Sequence, residues 1–214
     1  MCFSAQMSFL AVGLLLSIAA ATYHTLRTSK QILLAGMPLL FAMQQAAEGV
    51  LWLLLPRGQY PLIISIAKYT YLTFAFLIWP LYVPMTVLML EKTELRRALI
   101  SICFVIGLGW SLASLWYFTQ YGADVSIASC HIDYRLRGLS DNYRLQIGLY
   151  SLTTILPFFL SSHRLLQMVG VLMGLSCILS LLIWHYYFIS VWCFFAALIS
   201  LAAYFVVRKN NQDS

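Results

Sequence analysis

Residues 31–55 read QILLAGMPLLFAMQQAAEGVLWLLL, and this stretch decides the fold. It is long and apolar enough for a helix that crosses a bilayer, which needs about 20 residues. The rest of the chain has the same character, because 62% of the 214 residues are hydrophobic, 9% are charged and the mean hydropathy is +0.84. A soluble domain carries about 25% charged residues. The composition therefore argues against a soluble enzyme, a disordered chain and a nucleic-acid-binding domain.

Apolar stretches of this kind recur along the chain and predict an all-α bundle of seven transmembrane helices, in one domain over 1–214. The runs are continuous and do not alternate in polarity, which disfavours an outer-membrane β-barrel. Pro80 and Pro84 predict a distortion of the third span. The segment 119–143 is predicted to be a loop on the outer side. The predicted spans are 4–26, 31–55, 62–90, 98–118, 144–161, 165–184 and 188–207.

Lysine and arginine residues predict the orientation of the bundle. Eight of them fall on one face of the predicted bundle and five on the other, and residues 1–9 contain none. Cytoplasmic loops are enriched in Lys and Arg, so the N-terminus is predicted outside and the C-terminus in the cytoplasm. The net charge of +6 is then mainly a topology signal. The lack of an N-terminal positive region also favours a retained first helix over a cleaved signal peptide.

Small residues four positions apart predict close contacts between helices. Such pairs let two helix backbones approach one another in lipid. Three pairs stand out: Gly107 with Ser111, Gly109 with Ala113, and Gly170 with Gly174.

Two ionisable residues, Glu48 and Lys68, lie inside predicted spans. An ionisable side chain at membrane depth is costly unless it is paired or hydrated, so each is a candidate functional residue. Their predicted depths are similar on consecutive antiparallel helices, which makes a Glu48–Lys68 ion pair one interpretation. In the other, Gln44, Gln45 and Glu48 form a polar helix face with Trp52. That face would line a cavity that opens outward, with Glu48 as a catalytic general base.

In the predicted topology, several cysteine and histidine residues lie near the outer ends of the spans. Cysteine and histidine side chains are common zinc ligands. The sequence therefore predicts a metal site, with zinc as the expected ion, formed by Cys2, His131, His185 and Cys193 beside Glu48. Cys2 would also offer an amine with its thiol if Met1 is removed. Two alternatives remain open: a disulfide among Cys2, Cys130 and Cys193, and a place for His185 in the interfacial aromatic belt.

Several short motifs resemble a bacterial seven-span family, DUF6629, whose members begin with MCFSA. The matching pieces are Met1-Cys2-Phe3-Ser4-Ala5, Gln45-Ala46-Ala47-Glu48-Gly49 with Trp52, Trp79-Pro80, Pro157 with Leu160-Ser161-Ser162, and Ser190-Val191-Trp192-Cys193-Phe194-Phe195-Ala196-Ala197. The resemblance runs over nearly the whole chain. It implies a multi-pass protein of the bacterial cytoplasmic membrane that retains Cys2. It implies no particular reaction.

The leading functional prediction is a small membrane-embedded, metal-dependent enzyme of hydrolase type. Glu48, Cys2 and His131 would form its outward-facing site, and a metal-bound water would attack a small or lipid-soluble substrate. The alternative is a membrane sensor or small-ligand-binding protein that acts through a partner protein. A proton-coupled transporter is a third candidate, disfavoured because polar residues gather at one depth and no inverted repeat is visible. The expected partners are the lipid bilayer and the small ligand, and no nucleic acid.

Overall fold

The chain folds into a helical bundle with one short β-hairpin, and the computed structural model describes residues 4–128, 131–136, 143–184 and 187–212. The helices are α1 (Ala5–His24), α2 (Ile32–Leu54), α3 (Pro61–Thr73), α4 (Trp79–Leu90), α5 (Glu94–Tyr121), α6 (Tyr143–Thr154), α7 (Leu156–Leu160), α8 (Arg164–Trp184), α9 (Phe188–Ile199) and α10 (Ala202–Gln212). The strands are β1 (Ala123–Ala128) and β2 (His131–Leu136).

Six helical segments of the described chain are long and apolar enough to cross a membrane. They indicate a multi-pass membrane protein, and the predicted helical class is confirmed. Some of them join two of the helices named above. The segments are Ala5–His24, Ser29–Arg57, Pro61–Leu90, Glu94–Tyr121, Arg164–Ile183 and Phe188–Lys209.

The predicted span 144–161 is not one continuous helix. It is divided into α6 and α7 at Ile155, and its apolar part, Ile147–Leu160, is shorter than the other six segments. Pro157 accounts for the break, because proline supplies no N–H to the preceding turn and disfavours helical geometry at the residue before it. The sequence correctly located this apolar segment but missed its interruption.

The predicted distortion of the third span lies between α3 and α4. Residues 74–78 form a wide helical turn immediately before Trp79 and Pro80. Wide turns of this kind are a common way to absorb a break in the regular hydrogen-bond ladder. Ser111 of α5 donates a hydrogen bond of 2.9 Å to the Leu77 carbonyl oxygen within this turn.

Gly107 allows α5 to pack directly on this distorted turn. A Cβ atom at Gly107 would overlap the Pro80 carbonyl oxygen, so no larger residue fits without a shift. Gly107 and Ser111 thus form the close contact that their spacing predicted. Gly109 does not, since a Cβ there would meet nothing within 4 Å.

Gly170 makes the second predicted contact. A Cβ atom at this position of α8 would lie 2.9 Å from the Phe158 side chain of α7, and one at Gly174 would lie 4.0 Å from Ile155. The small residues of α8 therefore bring it close to the broken α6–α7 segment.

The β-hairpin lies in the segment that was predicted to be an outer loop. β1 and β2 pair antiparallel, with Ala123 opposite Leu136 and Ala128 opposite His131. Ile132 is fully buried and Tyr134 nearly so, since β2 packs against α9. This end of the bundle is called the hairpin end below.

The opposite end is held together by the carboxylate of Glu91, which is almost fully buried. It accepts hydrogen bonds from the backbone N–H of Ser162 at 2.6 Å and the Ser162 hydroxyl at 2.9 Å. It also accepts from the N–H groups of Lys92 and Thr93, both at 3.0 Å. Burial would raise the pKa of Glu91, but these hydrogen bonds outweigh it and lower the pKa to about 2. Glu91 thereby ties the α4–α5 turn to the α7–α8 turn.

Candidate functional site

The polar face of α2 points into the bundle, as its helical spacing predicted. Gln44 and Gln45 are fully buried, and Glu48 is 2% exposed. The amide oxygen of Gln44 accepts a hydrogen bond of 2.8 Å from the indole N–H of Trp79. Trp52, the last member of this face, is half-buried.

Glu48 is hydrogen-bonded to Ser190 of α9, whose hydroxyl donates to the Glu48 Oε1 atom. Both side chains are buried. This contact joins the second and the last apolar segments of the chain, which lie 142 positions apart. Ser190 belongs to the Ser-Val-Trp-Cys motif, but no pattern in the sequence pairs it with Glu48.

The predicted Glu48–Lys68 ion pair is wrong. The Lys68 ammonium donates a hydrogen bond of 2.6 Å to the Ala123 carbonyl oxygen and lies 4.4 Å from the centre of the Tyr69 ring. Ala67 and Tyr71 occupy the buried face of α3, and Lys68 projects from a different side of the helix. Lys68 therefore supports the β-hairpin and does not neutralise Glu48.

Tyr71, Tyr134 and Cys193 surround the Glu48–Ser190 pair as parts of one buried cluster. The rings of Tyr71 and Tyr134 stack with centroids 4.6 Å apart, and the Tyr71 hydroxyl donates to the Ile189 carbonyl oxygen at 3.3 Å. Cys193 follows Ser190 by one helical turn, so both lie on the same face of α9. Burial, with the nearby Glu48 and Cys193, raises the pKa of Tyr134 well above its ordinary value, which keeps its phenol protonated.

The predicted metal ligands are only partly covered by the described residues. Cys2 and His185 lie outside them, as does Cys130 of the proposed disulfide. His131 is buried and its ring stacks on Tyr187 at 4.8 Å, and burial lowers its pKa. Within the described ranges, no three His, Cys, Asp or Glu side chains are grouped so that they would hold a metal ion. Glu48, His131 and Cys193 therefore form no metal centre by themselves.

A cavity of about 370 Å³ lies next to the buried cluster. It is bounded by the turn between α3 and α4, by α5, α6 and α9, and by β2. Six aromatic side chains line it, Tyr134 and Phe188 among them, and the other four pack together: Phe76, Trp110, Tyr150 and Trp192. Their rings contact one another, with centroid distances of 6.2 Å for Trp110–Tyr150 and 5.3 Å for Tyr150–Trp192. The wall is therefore mainly aromatic.

A few polar groups interrupt this apolar wall. The Tyr134 hydroxyl and the Trp110 indole N–H are buried and have no hydrogen-bond partner among the described residues. Cys193 lines the side of the cavity that adjoins Glu48. The exposed Arg135 lines its rim and donates a hydrogen bond of 2.6 Å to Asp133. The lining of the cavity thus includes two residues that carry a buried donor without a partner among the described residues, and a cation that is already paired.

Sequence reasoning identified Glu48 and Cys193 but missed Tyr71 and Ser190. It predicted a cavity along the polar face of α2, whereas no residue of that face lines the aromatic cavity. The cavity has no sequence motif, because its walls come from five separate segments. Ser190 and Cys193 are three positions apart, and that helical spacing was a usable signal for a common face on the last span.

Comparison with known proteins supports the family resemblance of the motifs. A family model described as a family of unknown function, DUF6629, matches residues 1–214. Searches of curated proteins and of solved structures find no significant match. Since the family model covers every residue from Met1 to Ser214, the chain belongs to the DUF6629 family.

Proposed function

We propose that this protein is a membrane-embedded binding protein for a small, neutral, apolar molecule that carries a hydrogen-bond acceptor. The observation behind the proposal is the aromatic cavity, whose lining includes Tyr134 and Trp110. The hydroxyl of the first and the indole N–H of the second are buried donors without a partner among the described residues. Of the functions predicted from sequence, this corresponds to the small-ligand-binding alternative.

The size and lining of the cavity support this proposal. Ligand pockets typically measure about 300–1,000 Å³ and combine apolar walls with a few polar groups that orient the ligand. A buried donor without an acceptor costs about 1–3 kcal/mol. A ligand carbonyl or ether oxygen would recover that cost at Tyr134 or Trp110.

The charge of the rim favours a neutral ligand. Among the described residues, Arg135 is the one cationic side chain that lines the cavity, and its guanidinium is paired with Asp133. An anionic ligand would have to compete with this pair. A planar apolar carbonyl compound would need no such exchange and would stack on the aromatic walls.

Tryptophan fluorescence of the protein in lipid nanodiscs tests the proposal, with 1,4-naphthoquinone as the probe. Trp110 and Trp192 line the cavity, so occupancy should quench fluorescence in a saturable manner. Ala75→Phe fills the cavity and should weaken binding at least about tenfold, since a side chain would occupy the ligand's volume. Ala113→Phe makes the same change on an exposed position of α5 and should bind normally.

Equal, non-saturable quenching in the unmodified protein and in both variants would overturn the proposal. It would mean that the quinone quenches from the lipid phase. A melting temperature for Ala75→Phe close to that of Ala113→Phe is required before its loss of binding is attributed to the filled cavity.

We also propose that the broken segment α6–α7 crosses the bilayer, which gives seven spans with the N-terminus outside and the C-terminus in the bacterial cytoplasm. Residues 143–160 would be about 27 Å long as a helix, close to the hydrocarbon thickness. The Lys and Arg distribution supports this orientation. Reporter fusions at each terminus test it, because seven spans place the termini on opposite sides and six place them on the same side.

A further inference from the structure

A basic cleft lies at the end of the bundle opposite the β-hairpin. It has a volume of about 660 Å³ and lies between the end of α1 and the last helix, α10. Its walls include His24, Leu26, Arg27, Tyr204 and Arg208. The aromatic cavity, by contrast, lies at the hairpin end, so the two sites are separate.

The cleft is positively charged. Arg27 and Arg208 both line it, and no acidic side chain of the described chain does. The Arg27 guanidinium makes one long hydrogen bond of 3.5 Å, to the Asn211 carbonyl oxygen. Arg208 is exposed and makes no hydrogen bond within the described residues. Most of the donors on these two guanidinium groups therefore have no acceptor among residues 4–128, 131–136, 143–184 and 187–212.

Hydrogen bonds hold the two sides of the cleft at a fixed spacing. The Asn211 amide donates to the Thr25 carbonyl oxygen at 2.6 Å and accepts from the Gln31 amide at 3.0 Å. These bonds fasten α10 to the turn between α1 and α2. The two segments that carry the arginines are thus hydrogen-bonded to each other.

The position of the cleft matches the headgroup region of a bilayer. Two of the apolar segments end here, at His24 and at Lys209. Residues just beyond the end of a span lie among the lipid headgroups. Basic pockets between helices at this level are suited to anionic lipid headgroups.

We propose that this cleft binds the phosphate group of an anionic phospholipid in the adjacent leaflet, with Arg27 and Arg208 donating hydrogen bonds to its oxygen atoms. Guanidinium groups bind phosphate through paired N–H···O bonds, which makes two of them in one cleft an effective site. Leu26 and Tyr204 would contact the glycerol and upper acyl regions. The site is independent of the proposed ligand cavity.

Lipid retention tests the proposal. The full-length protein is exchanged into nanodiscs of phosphatidylglycerol mixed with phosphatidylcholine, extracted gently, and analysed by native mass spectrometry. Arg27→Gln with Arg208→Gln should reduce retention of phosphatidylglycerol about 25-fold, because each basic residue near an anionic surface contributes about fivefold. Lys30→Gln with Arg164→Gln is the matched control, since it removes two exposed cations outside the cleft.

The pattern of losses decides between a defined site and diffuse attraction. Equal losses in the cleft variant and the control variant would overturn the proposal. If the double variant proves unstable, Arg208→Gln alone serves, because Arg208 makes no hydrogen bond in the described structure, and it should lose about fivefold.

A competition arm distinguishes a lipid from free phosphate. Inorganic phosphate shares the phosphate oxygens but lacks the acyl chains that Leu26 and Tyr204 would contact. About 100 mM phosphate shortens the Debye length to about 10 Å or less and so weakens attraction between exposed charges. Lipid retention that survives this concentration supports a lipid. Displacement of the lipid at millimolar phosphate would overturn the assignment to a phospholipid.

Discussion

The Ser190 hydroxyl donates a hydrogen bond to the Glu48 side chain in the interior of the bundle, and this contact connects α9 to α2. Membrane interiors tolerate an acidic side chain only when its polar atoms are satisfied. We therefore expect Ser190→Ala to lower the free energy of unfolding by about 1–3 kcal/mol, since it leaves a buried carboxyl group without this donor. Thermal unfolding in detergent measures the change.

Ser101→Ala is the control for that experiment. Ser101 is exposed and bonds only within its own helix, to the Arg97 carbonyl oxygen. The control should change stability by less than about 0.5 kcal/mol. In a Glu48→Ala background, which removes the acceptor, Ser190→Ala should cost less than in the unmodified protein, and fully additive losses would contradict direct coupling.

Gly107→Ala should destabilise the protein, whereas Gly109→Ala should not. The added methyl group at Gly107 would overlap the Pro80 carbonyl oxygen, and that at Gly109 meets nothing within 4 Å. Overpacking of a close contact costs about 1–3 kcal/mol, while Gly→Ala in an open helical position is neutral or favourable. Melting temperatures of the two variants measure the difference, and equal values would contradict the packing of α5 on the Pro80 turn.

Glu91 should make stability depend on acid pH. Its pKa of about 2 lies below its ordinary value of 4.5, so its stabilising contribution is complete above about pH 4.5 and is lost as the pH falls toward 2. Unfolding midpoints measured between these limits should fall in the unmodified protein. Glu91→Gln should be less stable at neutral pH and show a weaker decline.

Glu94→Gln, three positions along the chain, is the control for this pH dependence. Glu94 is exposed, so Glu94→Gln should retain the decline of the unmodified protein. If Glu91→Gln and Glu94→Gln have the same pH profile, the hydrogen bonds to Ser162 do not carry the effect.

Tyr134→Phe should weaken binding of a ligand in the aromatic cavity by about tenfold, because it removes one unpartnered donor and leaves the ring in place. The 1,4-naphthoquinone titration described above measures the affinity. Tyr121→Phe, at an exposed position, makes the same change and should bind normally. Unchanged affinity in Tyr134→Phe would place the ligand's acceptor elsewhere in the cavity.

The zinc site remains a prediction from sequence, and metal analysis tests it. If Cys2, His131, His185 and Cys193 bind zinc, the purified protein should contain about one equivalent, and Cys2→Ser should reduce it. Cys103→Ser, a change within a span and away from this set, should leave the metal content unchanged. Less than about half an equivalent in the unmodified protein would contradict the prediction.

The helices could be predicted from the sequence because the length of an apolar run is a local property of the chain. Residues 31–55 and 165–184 were predicted close to their observed bounds, and Pro80 and Pro84 predicted the distortion of the third span. The break before Pro157 was not predicted. The β-hairpin was missed, since its two strands have only six residues each and lie in a segment that composition marks as a loop. The alternation of apolar and polar residues in the sequence of β2, from Ile132 to Leu136, is too short to outweigh that composition.

The candidate site was only partly predictable. The spacing of Gln44, Gln45 and Glu48 correctly indicated an inward polar face. Their depth also suggested Lys68 as the partner of Glu48, and this was wrong because depth does not specify the direction in which a side chain leaves its helix. Ala67 and Tyr71 occupy the inner face of α3, and Lys68 turns to the Ala123 carbonyl oxygen instead.

The sequence by itself determined that this chain is a membrane protein, which of its segments form long helices and that Glu48 is buried. Each of these follows from the cost of placing polar groups in lipid and from the 3.6-residue period of the helix. Only the tertiary structure decided that Ser190 is the partner of Glu48, that an aromatic cavity forms beside Cys193 and that two arginines line the same cleft. These depend on how the helices are rotated and which of them are neighbours, and packing among distant segments sets both.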